Sequence, residues 1–96
     1  MDNCLITGAS TGIGLATSVY LAGHGFRVHA TMRDLSRSEQ LQKVIESDNL
    51  PIVVHQLDVT DLNSISQVVA KIEGDEGQVD FLINNSGLSN ACHREL

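Results

Sequence analysis

Short apolar runs alternate with amphipathic ones along the chain. Cys4-Leu5-Ile6 centres a first strand expected over Asn3 to Thr7. Ile13 to Ala22 then places Ile13, Ala16, Val19 and Tyr20 at helical spacing, which predicts a helix with those residues on its apolar face. Gly23-His24-Gly25 closes it as a glycine C-cap would. Phe26, Val28 and Ala30 alternate with Arg27 and His29, so a second strand is expected over Phe26 to Thr31. A weaker helical pattern over Ser38 to Ser47 carries Leu41, Val44 and Ile45 and breaks at Asn49-Leu50-Pro51. Ile52 to Leu57 reads as a third strand. Asp61 to Glu73 reads as a third helix, with Ile65, Val68, Val69 and Ile72 inward and Asp61 or Asn63 as its N-cap. Gly74 to Gly77 is expected to be a loop, and Val79 to Ile83 a fourth strand.

This is a β-α-β-α-β-α-β order. Right-handed crossovers lay such strands side by side and parallel, so the expected fold is α/β, a partial Rossmann-like doubly wound sheet of four strands in the order 3-2-1-4. The strand order reverses between the first and fourth strands, and a ligand crevice is expected at their C-terminal ends. The sequence is densest in glycine and asparagine at those same two places.

The first is Thr7-Gly8-Ala9-Ser10-Thr11-Gly12-Ile13-Gly14, between the first strand and the first helix. Gly8 allows a sharp turn, Gly12 lets the backbone approach an anion, and Gly14 permits close packing of helix on sheet. The N–H groups and dipole of the helix start then face a pyrophosphate. The spacing is Gly-x-x-x-Gly-x-Gly. It differs from the common Gly-x-Gly-x-x-Gly fingerprint and lacks the Gly-Lys-Ser/Thr of a Walker loop. The octet resembles the cofactor motif of the short-chain dehydrogenase/reductase family, in its compact rather than its extended, epimerase-like branch. The second place is Asn84-Asn85-Ser86-Gly87, which resembles the family's Asn-Asn-Ala-Gly with Ser86 in place of alanine.

The resemblance implies a dinucleotide site of Gly8, Ser10, Thr11, Gly12, Ile13 and Gly14 with Asn85, Ser86 and Gly87. It adds Asp58 and Val59 after the third strand, the carboxylate accepting from an adenine amino group and the following N–H meeting the ring. A helix-start role near Thr60 and Asp61 is the other reading of Asp58. Where NAD-preferring relatives carry an acid at the end of the second strand, this chain has Met32, followed by Arg33. Arg33 resembles the arginine that NADP-preferring relatives set against the 2′-phosphate, so NADP(H) is favoured over NAD(H). Two alternatives stay open: a solvated loop arginine, or pairing of Arg33 with the adjoining Asp34. Thr11 stands where many NADP-binding relatives have a second basic residue.

Composition narrows the partners. The chain has 96 residues, 42% hydrophobic and 19% charged, with a formal charge of −6. That is enough for one small globular domain, here 1–96 as a partial dinucleotide-binding domain. No basic stripe is present, so nucleic acid is not expected as a partner. The first apolar run is too short for a signal peptide, and no run reaches membrane-spanning length. Cys4 and Cys92 match no metal motif and read as free thiols of a reducing, cytoplasmic compartment. His24, His29, His55 and His93 have no metal-ligand spacing. His29 and His55 are expected to be ordinary strand residues. Asn84-Asn85-Ser86 also fits a glycosylation sequon, which directly after an apolar strand reads as coincidence.

The family's chemistry uses a Tyr-x-x-x-Lys pair, an upstream serine and a later asparagine. The single tyrosine here, Tyr20, is followed four residues on by His24 and is expected on an apolar helix face, so it is not the catalytic tyrosine. The resemblance runs from about Asn3 to Gly87 and covers the cofactor half of the family fold. It implies hydride transfer between NADP(H) and an alcohol or carbonyl substrate in a longer parent, for which a homo-oligomer stays open. The 96 residues alone are expected not to catalyse reduction. Two other readings stand beside this one: a non-catalytic nucleotide- or partner-binding module, and a non-functional truncation.

Overall fold

The computed structural model describes residues 2–10 and 12–85. Four parallel strands form one sheet in the order β3-β2-β1-β4, as the alternation of elements requires. The strands are β1 (Asn3–Ile6), β2 (Arg27–Met32), β3 (Ile52–Gln56) and β4 (Phe81–Ile83). The helices are α1 (Gly12–Ala22), α2 (Glu39–Asp48) and α3 (Leu62–Glu76), with a 3-10 turn at Leu35–Arg37. β1 pairs with β2 through Leu5↔His29 and with β4 through Leu5↔Leu82. β2 pairs with β3 through Thr31↔His55.

Side chains alternate across a strand, so the sheet separates two cores. One holds Cys4, Ile6, Val28, Ala30, Met32 and Ile52 under Ala22 and partly buried Val19 of α1 and Leu41 of α2. The other holds Leu5 and Leu57 under Val68 and Ile72 of α3. Helices thus lie on both faces, the doubly wound arrangement. β4 is only partly covered: Ile83 packs against the first core, while Phe81 is 41% and Leu82 51% exposed. Among the described residues no helix is long and apolar enough to cross a membrane.

Two expectations need correction. Ile13, Ala16 and Tyr20 do not form the buried face of α1. Ile13 is 76% and Tyr20 63% exposed, Ala16 is exposed, and the helix buries Gly14, Ser18 and Ala22 instead. Small residues four apart let the helix axis approach the sheet, and Ser18 satisfies its hydroxyl by donating to the Gly14 carbonyl at 2.9 Å. The rejection of Tyr20 as a catalytic tyrosine therefore rests on its neighbour at position 24 rather than on burial. Second, residues 74–76 belong to α3, which ends only at Gly77 with φ 109°. A helical glycine at position 74 costs about 1 kcal/mol. Contacts of Glu76 with the sheet offset it: the Asn3 amide donates to its carbonyl at 3.3 Å and the Arg27 guanidinium to its carboxylate at 3.1 Å. Elsewhere the signals hold. Asp61 caps α3 by accepting from the Asn63 N–H at 2.9 Å, and Gly25 turns the chain after α1 with φ 94°.

Candidate cofactor site

The glycine turn is a rigid bridge between strand ends. Gly8 and Gly12 adopt φ 66° and 63°, left-handed values that a side chain disfavours. Gly14 is buried against the turn itself. A Cβ there would stand 2.6 Å from the Asn85 side-chain nitrogen and closer still to the Gly8 carbonyl oxygen. Among the described residues nothing lies within 4 Å of a Cβ placed at Gly12, so none of them covers the start of α1 there. Ile13 beside it is exposed.

Hydrogen bonds tie the turn to both neighbouring strands. The Ala9 N–H donates to the Thr31 carbonyl of β2 at 3.0 Å, and the Thr7 N–H to the Ile83 carbonyl of β4 at 3.1 Å. The Thr7 hydroxyl donates to the Asn84 side-chain oxygen and accepts from the Asn85 N–H, both at 2.9 Å. The Asn85 amide donates to the Gly8 carbonyl at 3.1 Å. The octet and the asparagine tip of β4, 77 residues apart in sequence, are therefore one unit at the C-terminal edge of the sheet. Thr7 and Asn84 do as much of this joining as Asn85. Both stand within the motifs, and the signal for them is a small polar residue where an apolar strand ends. Thr11, Ser86 and Gly87, expected in the site, lie outside the described residues, as do Cys92 and His93.

Arg33 and Asp58 follow β2 and β3 at the same edge. Arg33 is exposed, and its carbonyl accepts from the Gln56 amide at 3.2 Å. Asp34 caps the 3-10 turn, where its Oδ1 accepts from the Ser36 hydroxyl at 2.7 Å and the Ser36 N–H at 3.0 Å. Those bonds hold its carboxyl below the usual carboxylate range. Asp58 forms a similar turn: its Oδ1 accepts from the Thr60 hydroxyl at 2.6 Å and the Thr60 N–H at 2.9 Å. Thr60, and to a smaller degree the positive Arg33, lower its pKa. Both bonds fall on Oδ1 of a two-oxygen acceptor. Val59 packs against the core beneath α3, and Ser10 is half-buried in the turn.

An opening at a helix start, walled by glycines and joined to the strand where the order reverses, fits an anionic dinucleotide. Comparison with known proteins agrees. A family model described as short chain dehydrogenase matches residues 2–95. The chain belongs to the short-chain dehydrogenase/reductase family, whose members bind nicotinamide dinucleotides. It is 42% identical over 89 residues to (−)-isopiperitenone reductase of Mentha piperita, covering 88% of this chain and 28% of that protein. It is 37% identical over 91 residues to retinol dehydrogenase 13 of Homo sapiens, covering 93% and 28%. Among solved structures, salutaridine reductase of Papaver somniferum superposes with a TM-score of 0.84 at 32% identity, over 93% of this chain and 31% of that one. A metagenomic short-chain oxidoreductase in complex with NADP gives 0.83 at 29% identity, over 91% and 39%. The chain thus spans roughly a third of the length of such relatives.

Proposed function

We propose that the chain forms the coenzyme-binding half of an oxidoreductase that transfers hydride between NADP(H) and an alcohol or carbonyl substrate. The reading rests on the open start of α1, joined to β4 through Thr7 and Asn85. Gly8, Ser10, Thr11, Gly12, Ile13 and Gly14 would surround the pyrophosphate, with free N–H groups of the helix start as donors. Asn85, Ser86 and Gly87 would line the coenzyme site, and Asp58 with Val59 would meet the adenine. Arg33 would bind the 2′-phosphate through charge-assisted bonds. Arg33 is exposed at the end of β2, where a 2′-phosphate could reach it. The bound coenzyme supplies the hydride, and these residues hold and orient it. A reducing, cytoplasmic setting is part of the proposal. Buried Cys4 suits it as a free thiol whose pKa is pushed up to about 11 by burial.

Calorimetric titration of the chain with NADPH and with NADH tests this. NADPH is expected to bind more tightly, and Arg33→Ala to weaken NADPH by about ten- to hundredfold, the worth of a charged hydrogen bond, while leaving NADH unchanged. Equal loss of both coenzymes would remove the 2′-phosphate role. No binding of either would remove the site.

A further inference from the structure

The face of the sheet beneath α3 contains a polar cluster that the coenzyme site does not use. His29 of β2 and His55 of β3 are 2% and 9% exposed, and His29 Nδ1 lies 2.9 Å from His55 Nε2. The other nitrogen of His29, Nε2, is 3.4 Å from Glu76 Oε1 at the end of α3. That is near enough for attraction but lacks good hydrogen-bond geometry, and Nε2 has no other partner among the described residues. Glu76 also accepts twice from the Arg27 guanidinium at 3.1 Å.

Two imidazole nitrogens at this distance share one hydrogen, so one ring donates and the other accepts. A hydrogen on His29 Nε2, facing the carboxylate, leaves Nδ1 to accept from His55. One added proton is compatible with that bond, because the charged ring still donates to a neutral one. A second proton sets N–H against N–H and ends the bond. We infer that His29, His55 and Glu76 form an acid-sensitive latch that holds the C-terminal end of α3 on the sheet while the pair carries at most one added proton.

The surroundings agree. Burial is the largest influence on both rings and lowers both pKa values below the ordinary 6.5. For His29 the carboxylates of Glu76 and Asp75 on α3 oppose this and Arg27 on β2 reinforces it. For His55 the charge on His29, then Lys71 on α3, lowers it further, and Glu76 and Asp75 oppose. β1 brings uncharged Asn3 and Leu5 to this face. The unfolded chain takes up protons through pH 6.5 and the folded chain resists them, so stability is full above that pH and is lost as pH falls below it. The latch does not depend on coenzyme binding.

The test is denaturant unfolding of the full chain between pH 7.5 and pH 5, beside His55→Gln, whose amide donates to neutral His29 and, turned over, accepts from charged His29. The wild-type folding constant is expected to fall more steeply by about tenfold per pH unit, the linkage for one excluded proton. Equal slopes overturn the latch. Imidazole nitrogen shifts of the wild type decide the matter should the variant not fold: coupled titration below the ordinary value supports it, and two independent titrations near 6.5 overturn it. Amide exchange provides the local readout. Protection is expected to fall in α3 before α1 and α2 as acid is added, and simultaneous loss in all three overturns the release of α3.

Discussion

On the α1/α2 face of the sheet the strands present Cys4, Ile6, Val28, Ala30 and Met32, all buried and apolar. On the α3 face the same strands present Asn3, Leu5, His29, Thr31 and His55, equally buried and mostly polar. Among the described residues the polar side chains there take particular partners, with His29 Nε2 left only its 3.4 Å approach to Glu76. Asn3 donates to the Gln78 carbonyl at 2.8 Å, Thr31 to the Ile6 carbonyl at 2.8 Å, and the histidines face each other. The apolar face needs only shape, and its contribution does not change with protonation. The polar face needs particular partners, because a buried group left unpaired costs about 1–3 kcal/mol. One face gives stability at any moderate pH, and the other makes stability depend on proton count.

Substitutions break this contrast in graded steps. Leu41→Ala, at a fully buried position on the apolar face, is expected to cost about 2–5 kcal/mol, by the same amount near pH 7 and near pH 5.5 in denaturant unfolding. A pH-dependent loss would show that the two faces are not independent. Gly14→Ala forces a methyl group onto the Gly8 carbonyl and Asn85 and should cost about 1–3 kcal/mol. It should also weaken coenzyme binding, since it displaces the turn; unchanged NADPH affinity in calorimetry would contradict the close packing. Glu76→Gln removes the carboxylate shared by Arg27 and His29. Arg27 is about a third exposed, so the loss near pH 7 should be about 1 kcal/mol or less. It should grow below pH 6.5, because the carboxylate that favours charged His29 is gone, and thermal unfolding at two pH values reads the difference. Lys43→Ala deletes an exposed pair with Glu39 at 4.0 Å and should change stability by no more than about 0.5 kcal/mol. A larger loss would mean that α2 depends on its surface.

Much of this architecture is legible in the residues, but unevenly. The strand–helix alternation, the 3-2-1-4 order and the place of the glycine turn follow from local period and from the handedness of parallel crossovers. The inward face of α1 was not legible by hydropathy, since Gly14, Ser18 and Ala22 are small rather than oily. Their spacing of four was the available signal. The helical end of α3 was hidden because a glycine at position 74 suggests a loop, and its compensation comes from Asn3 and Arg27, distant in sequence. Asp34 beside Arg33 suggested a pair, yet Ser36 two residues on offers a hydroxyl and an N–H in a turn already forming.

The sequence by itself determined the order and type of the elements and the family motifs at two strand ends, because each depends on neighbours a few residues apart. Tertiary structure alone decided which partners the buried polar groups take. His29 and His55 are 26 residues apart and Thr7 and Asn84 are 77 apart, and no local period encodes such meetings. They exist because parallel strands in one register place the side chains within bonding distance and exclude the water that would otherwise satisfy them.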